Sequence, residues 1–161
     1  MTRFAPIAAV IAALAAGPLA AQVMTPTEYV ATAGASDLYE IQSSQTVLKT
    51  TQDPKIRAFA QQMIADHAKS TAQVKAAAAK SKVKAPPPML NPLQTELVAE
   101  LDGESGPARD ARYVAEQKAS HNQALAVQKA YATDGTAPAL KAAAGGIVPV
   151  VQNHVEMLKT M

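Results

Sequence analysis

Cysteine and tryptophan are both absent from this 161-residue chain. No disulfide, thiolate metal ligand or thiol nucleophile is therefore available, and the fold has to hold by its core alone. Aromatic residues are few, four Tyr and two Phe, and the charges nearly cancel at +2. Nucleic-acid binders gather basic and aromatic side chains on one face, whereas the lysines here are scattered, so no nucleic-acid partner is expected. Runs of β-branched residues with a period of two are also missing, which removes the strand signal. Without a strand or a Gly-x-Ser-x-Gly turn there is no support for a hydrolase nucleophile.

The one long apolar run is at the N-terminus. Arg3 is the only charge before Glu28, and Phe4 to Ala21 is apolar or small. Its uninterrupted core, Ile7 to Ala16, is about ten residues long where a membrane span needs about 20. Residues 1–21 therefore read as a secretory signal peptide, with cleavage after Ala21 beyond the helix-breaking Gly17-Pro18. Gln22 rather than cysteine follows, which rules out a lipoprotein anchor. The mature chain, residues 22–161, is expected to be a single secreted, periplasmic domain of net charge +1 with no stable membrane anchor.

Alanine dominates this mature part and the helix signals are well marked. Thr25-Pro26-Thr27-Glu28 is a capping box with proline in the first turn. It opens a helix to about Thr50 with Val30, Leu38, Ile41 and Leu48 facing inward. Asp53-Pro54 opens a second, to about Lys80, carrying Ile56, Phe59, Met63, His67 and Val74 on one stripe. The short connection makes the two antiparallel neighbours. Pro86-Pro87-Pro88 then forbids helix. Asn91-Pro92 starts a short helix to about Leu101 with Leu93, Leu97, Val98 and Leu101 as its apolar face. A third long helix runs from about Ala108 to Thr133 with Val114, Gln117, His121 and Leu125 on one side. The fourth runs from about Pro138 through Leu140, Ala144, Ile147, Val151, His154 and Leu158, with a kink expected at Gly145-Gly146 and Pro149.

Histidine occurs three times, and His67, His121 and His154 each fall on the apolar stripe of a different long helix. Since a stripe covers roughly 0.3 of the circumference, chance would put all three inward only about 3% of the time. Functional sites in helical bundles are built from such inward side chains. His67 and His121 lie about equally deep in their helices, and Glu40 matches them at 1.5 Å per residue, with His154 offset by about a turn. Three imidazoles and a carboxylate suit a divalent zinc, copper or iron ion, so Glu40, His67, His121 and His154 are the candidate metal ligands. The competing reading is an ion-free polar network in which the histidines hydrogen-bond Glu40, Asp37, Asp66 or tyrosine hydroxyls. Asp66 adjoins His67 but points about 100° away, so it is better placed to orient a histidine on another helix. The methionines lack Met-x-x-Met clustering and read as core filler.

The run Phe59-Ala60-Gln61-Gln62-Met63-Ile64-Ala65-Asp66-His67, the stretch from Tyr113 to His121, and Pro149-Val150-Val151-Gln152-Asn153-His154 resemble a bacterial ferritin-like domain family of unknown function found in secreted, periplasmic or outer-membrane proteins. The resemblance covers about Thr25 to Leu158. It implies an all-α, ferritin-like four-helix bundle with a short extra helix between the second and third long helices. It brings an envelope location but no established activity. The family pattern has an Asp-His pair on the third long helix, where this chain has Ser120-His121; if that aspartate orients the imidazole, this chain uses another partner.

Ferritin-like dimetal oxidation needs two Glu-x-x-His motifs. Ile64, Lys118 and Val151 stand three residues before the histidines, so a di-iron oxygenase is not expected. The sequence therefore reads as a non-enzymatic envelope protein whose histidine and glutamate cluster binds a divalent metal or senses pH. No other cofactor is implied. The alternative is an interaction or envelope-stress module with purely structural histidines.

Overall fold

The computed structural model describes residues 24–161, and among these there are five helices and no strand. The expected signal peptide and its cleavage after Ala21 lie outside the described residues. The helices are α1 (Pro26–Val47), α2 (Pro54–Lys80), α3 (Pro92–Gly103), α4 (Gly106–Asp134) and α5 (Pro138–Leu158). Each has a proline in its first turn, where the missing N–H has no intrahelical partner to lose. Thr25 and Glu28 form the expected capping box, the Asp53 carboxylate accepts from the amides of Lys55 and Ile56, and Asn91 and Gln94 form a second capping box. No helix among the described residues is long and apolar enough to cross a membrane.

Side-chain pairing fixes the helix directions. Tyr29 pairs with Gln128, Tyr39 with Glu116, Ser44 with Tyr113 and Thr51 with Asp110, so α4 descends as α1 ascends. Asp37 meets both His67 and Thr71, while Val47 shares a cluster with Ile56, which sets α2 antiparallel to α1. The tight connection at residues 135–137 turns α5 back along α4, and Lys141 donates to the Thr133 carbonyl across it. Thus α2 and α4 point the same way, and the segment 81–105, with α3 in it, has to travel the length of the molecule.

The long helices bury two apolar clusters with a polar layer between them. At one end Val30, Ala33, Val74, Leu125, Leu140 and Ile147 pack around the stacked rings of Tyr29 and Tyr131, whose centroids are 3.8 Å apart. At the other end are Val47, Ile56, Phe59, Met63, Leu101, Tyr113 and Leu158. Along α1, α2, α4 and α5 alike, the residues separating these clusters are Asp37 to Ser44, His67 to Ser70, Gln117 to His121, and His154. Arg109 locks the α3 end to the second cluster. Its buried guanidinium donates to the carbonyls of Leu101, Asp102 and Thr46, satisfying helix-end acceptors.

Two expectations need correction. Leu38 and Ile41 are only half-buried; between Val30 and Val47, which join the apolar clusters, the inward stripe of α1 is Ala33, Asp37, Glu40, Ser43 and Ser44, because the middle of this helix faces imidazoles. Leu93 is exposed rather than packed, and Leu101 alone anchors α3. Helix α5 is continuous through Gly145, Gly146 and Pro149, and all three lie on its exposed face.

Two glycines therefore behave oppositely. A Cβ at Gly135 would stand 2.5 Å from the Tyr131 carbonyl oxygen and 2.7 Å from its ring, whereas one at Gly145 meets nothing within 4 Å. Gly135→Ala is expected to destabilise by about 1–3 kcal/mol through this clash, and Gly145→Ala to stabilise by about 0.5–1 kcal/mol through lost chain entropy in the unfolded state. Denaturant melts of the two variants check the contrast; equal effects would contradict the packing at Gly135.

Candidate metal centre

Four helices supply the polar layer. His67 comes from α2, His121 from α4 and His154 from α5, each buried, while α1 contributes Asp37 and Glu40, also buried. The three imidazole centroids lie 5.6, 5.7 and 5.3 Å apart, and one ring nitrogen from each lies within 4.8 Å of the others. His154 thus joins the same layer instead of sitting a turn away. Phe59 closes the layer beneath, with His121 and His154 at 6.1 and 6.5 Å from its ring.

The outward nitrogen of each ring is occupied. His67 Nδ1 lies 2.8 Å from Asp37 Oδ1, and the Thr71 hydroxyl donates to the other oxygen of the same carboxylate. His154 Nε2 lies 3.0 Å from Asp66 Oδ2, so Asp66 orients a histidine on another helix, and Gln62 donates to it as well. His121 Nδ1 lies 3.0 Å from the Gln117 carbonyl oxygen. Carbonyls and ionised carboxylates only accept, which places a proton on each of these nitrogens. The opposite nitrogens, His67 Nε2, His121 Nε2 and His154 Nδ1, have no hydrogen-bond partner.

Glu40 is brought beside this cluster without being part of its compact nitrogen set. Its Oε1 stands 3.7 Å from His121 Nδ1, and neither carboxylate oxygen has a hydrogen-bond partner. Ser120, where the resembling family has aspartate, does not orient His121; its hydroxyl donates to the Gln117 carbonyl at 3.3 Å. The backbone takes over the orienting role. No side-chain pattern in the sequence signals that partner, and Thr71 and Ser43, which support Asp37 and Gln117, carry no signal either.

The electrostatics divide the imidazoles. Burial pushes His121 down to about 4, with the neighbouring His67 charge adding to it and the Gln117 carbonyl opposing. Burial also takes His154 to about 4, against the hydrogen bond to Asp66. Burial works the same way on His67, but the hydrogen bond to Asp37 and the charges of Glu40, Asp37 and Asp66 outweigh it, so this ring sits above the ordinary value. Glu40 is raised by burial, with the His67 charge, Ser120 and Gln117 pulling the other way. A cavity of about 20 Å³ touches His67 and His154 between Ser36, Ser70 and Val151, which is room for about one water.

These features define a small-helical-protein interior that can hold an ion, and the comparisons add the family. The chain belongs to DUF4142, a domain of unknown function, whose model matches residues 11–161. No curated protein matches it. Its fold is similar to that of a DUF305 fragment from Deinococcus radiodurans, with a TM-score of 0.70 at 14% identity over 84% of this chain and 93% of that one. It is similar as well to a predicted secreted DUF305 protein from Streptomyces coelicolor, with a TM-score of 0.66 at 14% identity over 83% and 88% of the two chains.

Acidification tests the imidazole assignments in metal-free protein. The unfolded chain protonates histidine near 6.5, whereas folded His121 and His154 stay neutral to about 4. The unfolded state therefore binds more protons in this window, and stability falls as pH drops from 6.5 towards 4, by about 2 kcal/mol per imidazole at pH 5. His67 acts in the opposite sense, its stabilisation being present below 6.5 and lost as pH rises through its higher folded value; Glu40 partly offsets the acid loss. Thermal melts at pH 7 and 5 should show a drop that is smaller in His154→Gln. A wild-type melting temperature that is flat over this range, and unchanged in slope by the substitution, contradicts neutral burial.

Proposed function

We propose that this protein is a secreted, periplasmic, ferritin-like four-helix bundle that binds one divalent metal ion through His67, His121 and His154, with Glu40 supplying the neutralising carboxylate. The observation that carries this reading is that one ring nitrogen of each histidine is paired with a fixed acceptor and the other has no partner, in three buried rings that bring a nitrogen each within 4.8 Å of one another. Metal-binding histidines are held in this way, the outer hydrogen bond fixing the tautomer and raising the donor strength of the other nitrogen. A nitrogen-rich set of this kind suits zinc, copper or iron. A carboxylate buried with both oxygens unpaired is costly by itself and is compensated by a nearby cation.

The bundle reading is supported by the parallel α2 and α4 with one long crossover between them, the connectivity that ferritin-like folds use. Secretion is supported by the N-terminal sequence and by the description of the Streptomyces coelicolor neighbour. The absence of Glu-x-x-His pairs and the one-water cavity favour a single-ion, non-enzymatic role over dimetal catalysis. A second reading, an interaction module with structural histidines, draws on Met89 and Leu93, which are 75% and 63% exposed.

Titration of the mature protein with zinc, copper(II) and iron(II) is expected to give one ion per chain. The His67→Ala, His121→Ala double variant should lose that binding, and Asp37→Asn should weaken it by about 10–100-fold. No stoichiometric binding in wild type would overturn the metal reading and leave an imidazole network.

A further inference from the structure

The cavity of about 20 Å³ at His67 and His154 lies on one defined side of the histidine layer. Among the residues that line it, Ser70 on α2 and Ala124 on α4 follow His67 and His121 by three positions, and Val151 on α5 precedes His154 by three. Because α5 runs against α2 and α4, all three fall on the same side of the imidazoles, about 4.5 Å along the helix axes at 1.5 Å per residue. Phe59 covers the other side, with His121 and His154 at 6.1 and 6.5 Å from its ring. An ion held by the three rings would therefore have an aromatic wall on one face and this cavity on the other.

Ser70 brings to the cavity a hydroxyl that nothing satisfies. The residue is only 7% exposed, and its Oγ has no hydrogen-bond partner. Helical serines commonly return their hydroxyl to a carbonyl of the preceding turn, as Ser43 does to Glu40 and Ser120 to Gln117; Ser70 does not. Glu40 leaves this face free. It does not line the cavity, and its Oε1 lies 3.7 Å from the outward His121 Nδ1, where it balances charge. The cavity has room for about one water. Asp66, whose side chain is 31% exposed, and Val150, 40% exposed, also line it, so solvent is within one side chain of the site.

We propose that the ion takes its fourth ligand from this cavity, a single exchangeable solvent water anchored by the Ser70 hydroxyl on the side away from Phe59. The inference rests on the reading of His67, His121 and His154 as the protein ligands. Three nitrogens leave one position of a tetrahedral ion to fill. Sites closed by four protein ligands serve structure, whereas a water in the fourth position lets a small molecule reach the ion. The room available sets the class of ligand: a donor about the size of water enters, and one the size of a side chain does not.

Electron paramagnetic resonance of the mature protein loaded with copper(II) in oxygen-17-enriched water tests this. Wild type is expected to show the hyperfine coupling of a directly bound solvent oxygen. Ser70→Val, which exchanges the hydroxyl for methyl groups that fill the cavity, should still bind copper but lose the coupling. Ser70→Ala leaves the room open and should keep it. Val151→Ile fills the same space from α5 and should lose the coupling too, which covers the case in which Ser70→Val does not fold. Copper bound by wild type without an oxygen-17 coupling would overturn the inference while leaving the three-histidine site standing, and so would a coupling that persists in the filled variants. No copper bound by wild type would overturn the metal reading itself and this inference with it.

Discussion

Three imidazoles share one buried layer of this protein only because each has an acceptor for its outward N–H, and that requirement organises the residues around them. Asp37 has to sit on α1 opposite His67, Asp66 has to reach from α2 to His154, and His121 has to turn its Nδ1 back on its own helix. The first two contacts tie the rotation of one helix to that of another, while the third lies within α4 and fixes the ring alone. The two apolar clusters then supply the bulk of the burial, while the polar layer sets which face of each helix turns inward. A one-turn slip of α1 against α2 would part His67 from Asp37, and one of α2 against α5 would part His154 from Asp66, each leaving a buried ring nitrogen without its partner. Such groups are costly in a medium that water does not reach.

Much of this was legible in the sequence because the caps and stripes obey local rules. Thr25, Asp53 and Asn91 each precede a proline and mark helix starts by a mechanism confined to one turn. The inward placement of His67, His121 and His154 followed from helical periodicity, as did the buried stripe of α2. The face of α1 was not legible, since periodicity assigns the interior to Leu38 and Ile41 whereas Asp37, Glu40, Ser43 and Ser44 occupy it. Hydrophobic pattern fails where the partner surface is itself polar. The Gln117 carbonyl was beyond reach for a different reason: a main-chain acceptor leaves no mark on residue identity. Arg109 was missed as well, because a buried arginine is recognised by the helix-end carbonyls it meets rather than by its neighbours in sequence.

The crossover leaves a second cavity of about 810 Å³ against α1 and α4, with Glu116 the one charged residue that lines it. Since α2 and α4 run the same way, the chain has to traverse the molecule between them, and Pro86 to Pro88 keeps that passage extended and unable to seal against α1 and α4 as a helix would. Leu101 with Arg109, Pro88 at Gly34, the packing of Val83 and Ala85, and the ion pairs of Asp102 with Lys49 and of Glu100 and Glu104 with Arg112 hold the segment down. A groove remains between these attachments. Its size is a consequence of the topology, and its chemistry a consequence of the alanines that face it and of the single carboxylate at one end.

Charge balance in the polar layer connects the metal reading to the protonation states. Asp37 and Glu40 are the fully buried carboxylates, while Asp66 is partly open to solvent. Without an ion, the hydrogen bond to Asp37 favours the charged form of His67 and burial favours the neutral form of Glu40, and both groups are raised accordingly. A divalent cation on the converging nitrogens would bring two positive charges into the same space, displace the proton on His67 Nε2 and favour ionised Glu40. On the reading proposed above, the layer is neutral in either condition and exchanges two protons for one ion. His121 and His154 need no such exchange, because their inward nitrogens are already unprotonated. On the same reading the site would be prepared at two ligands and gated by protonation at the third, so that affinity would rise with pH as His67 gives up its proton.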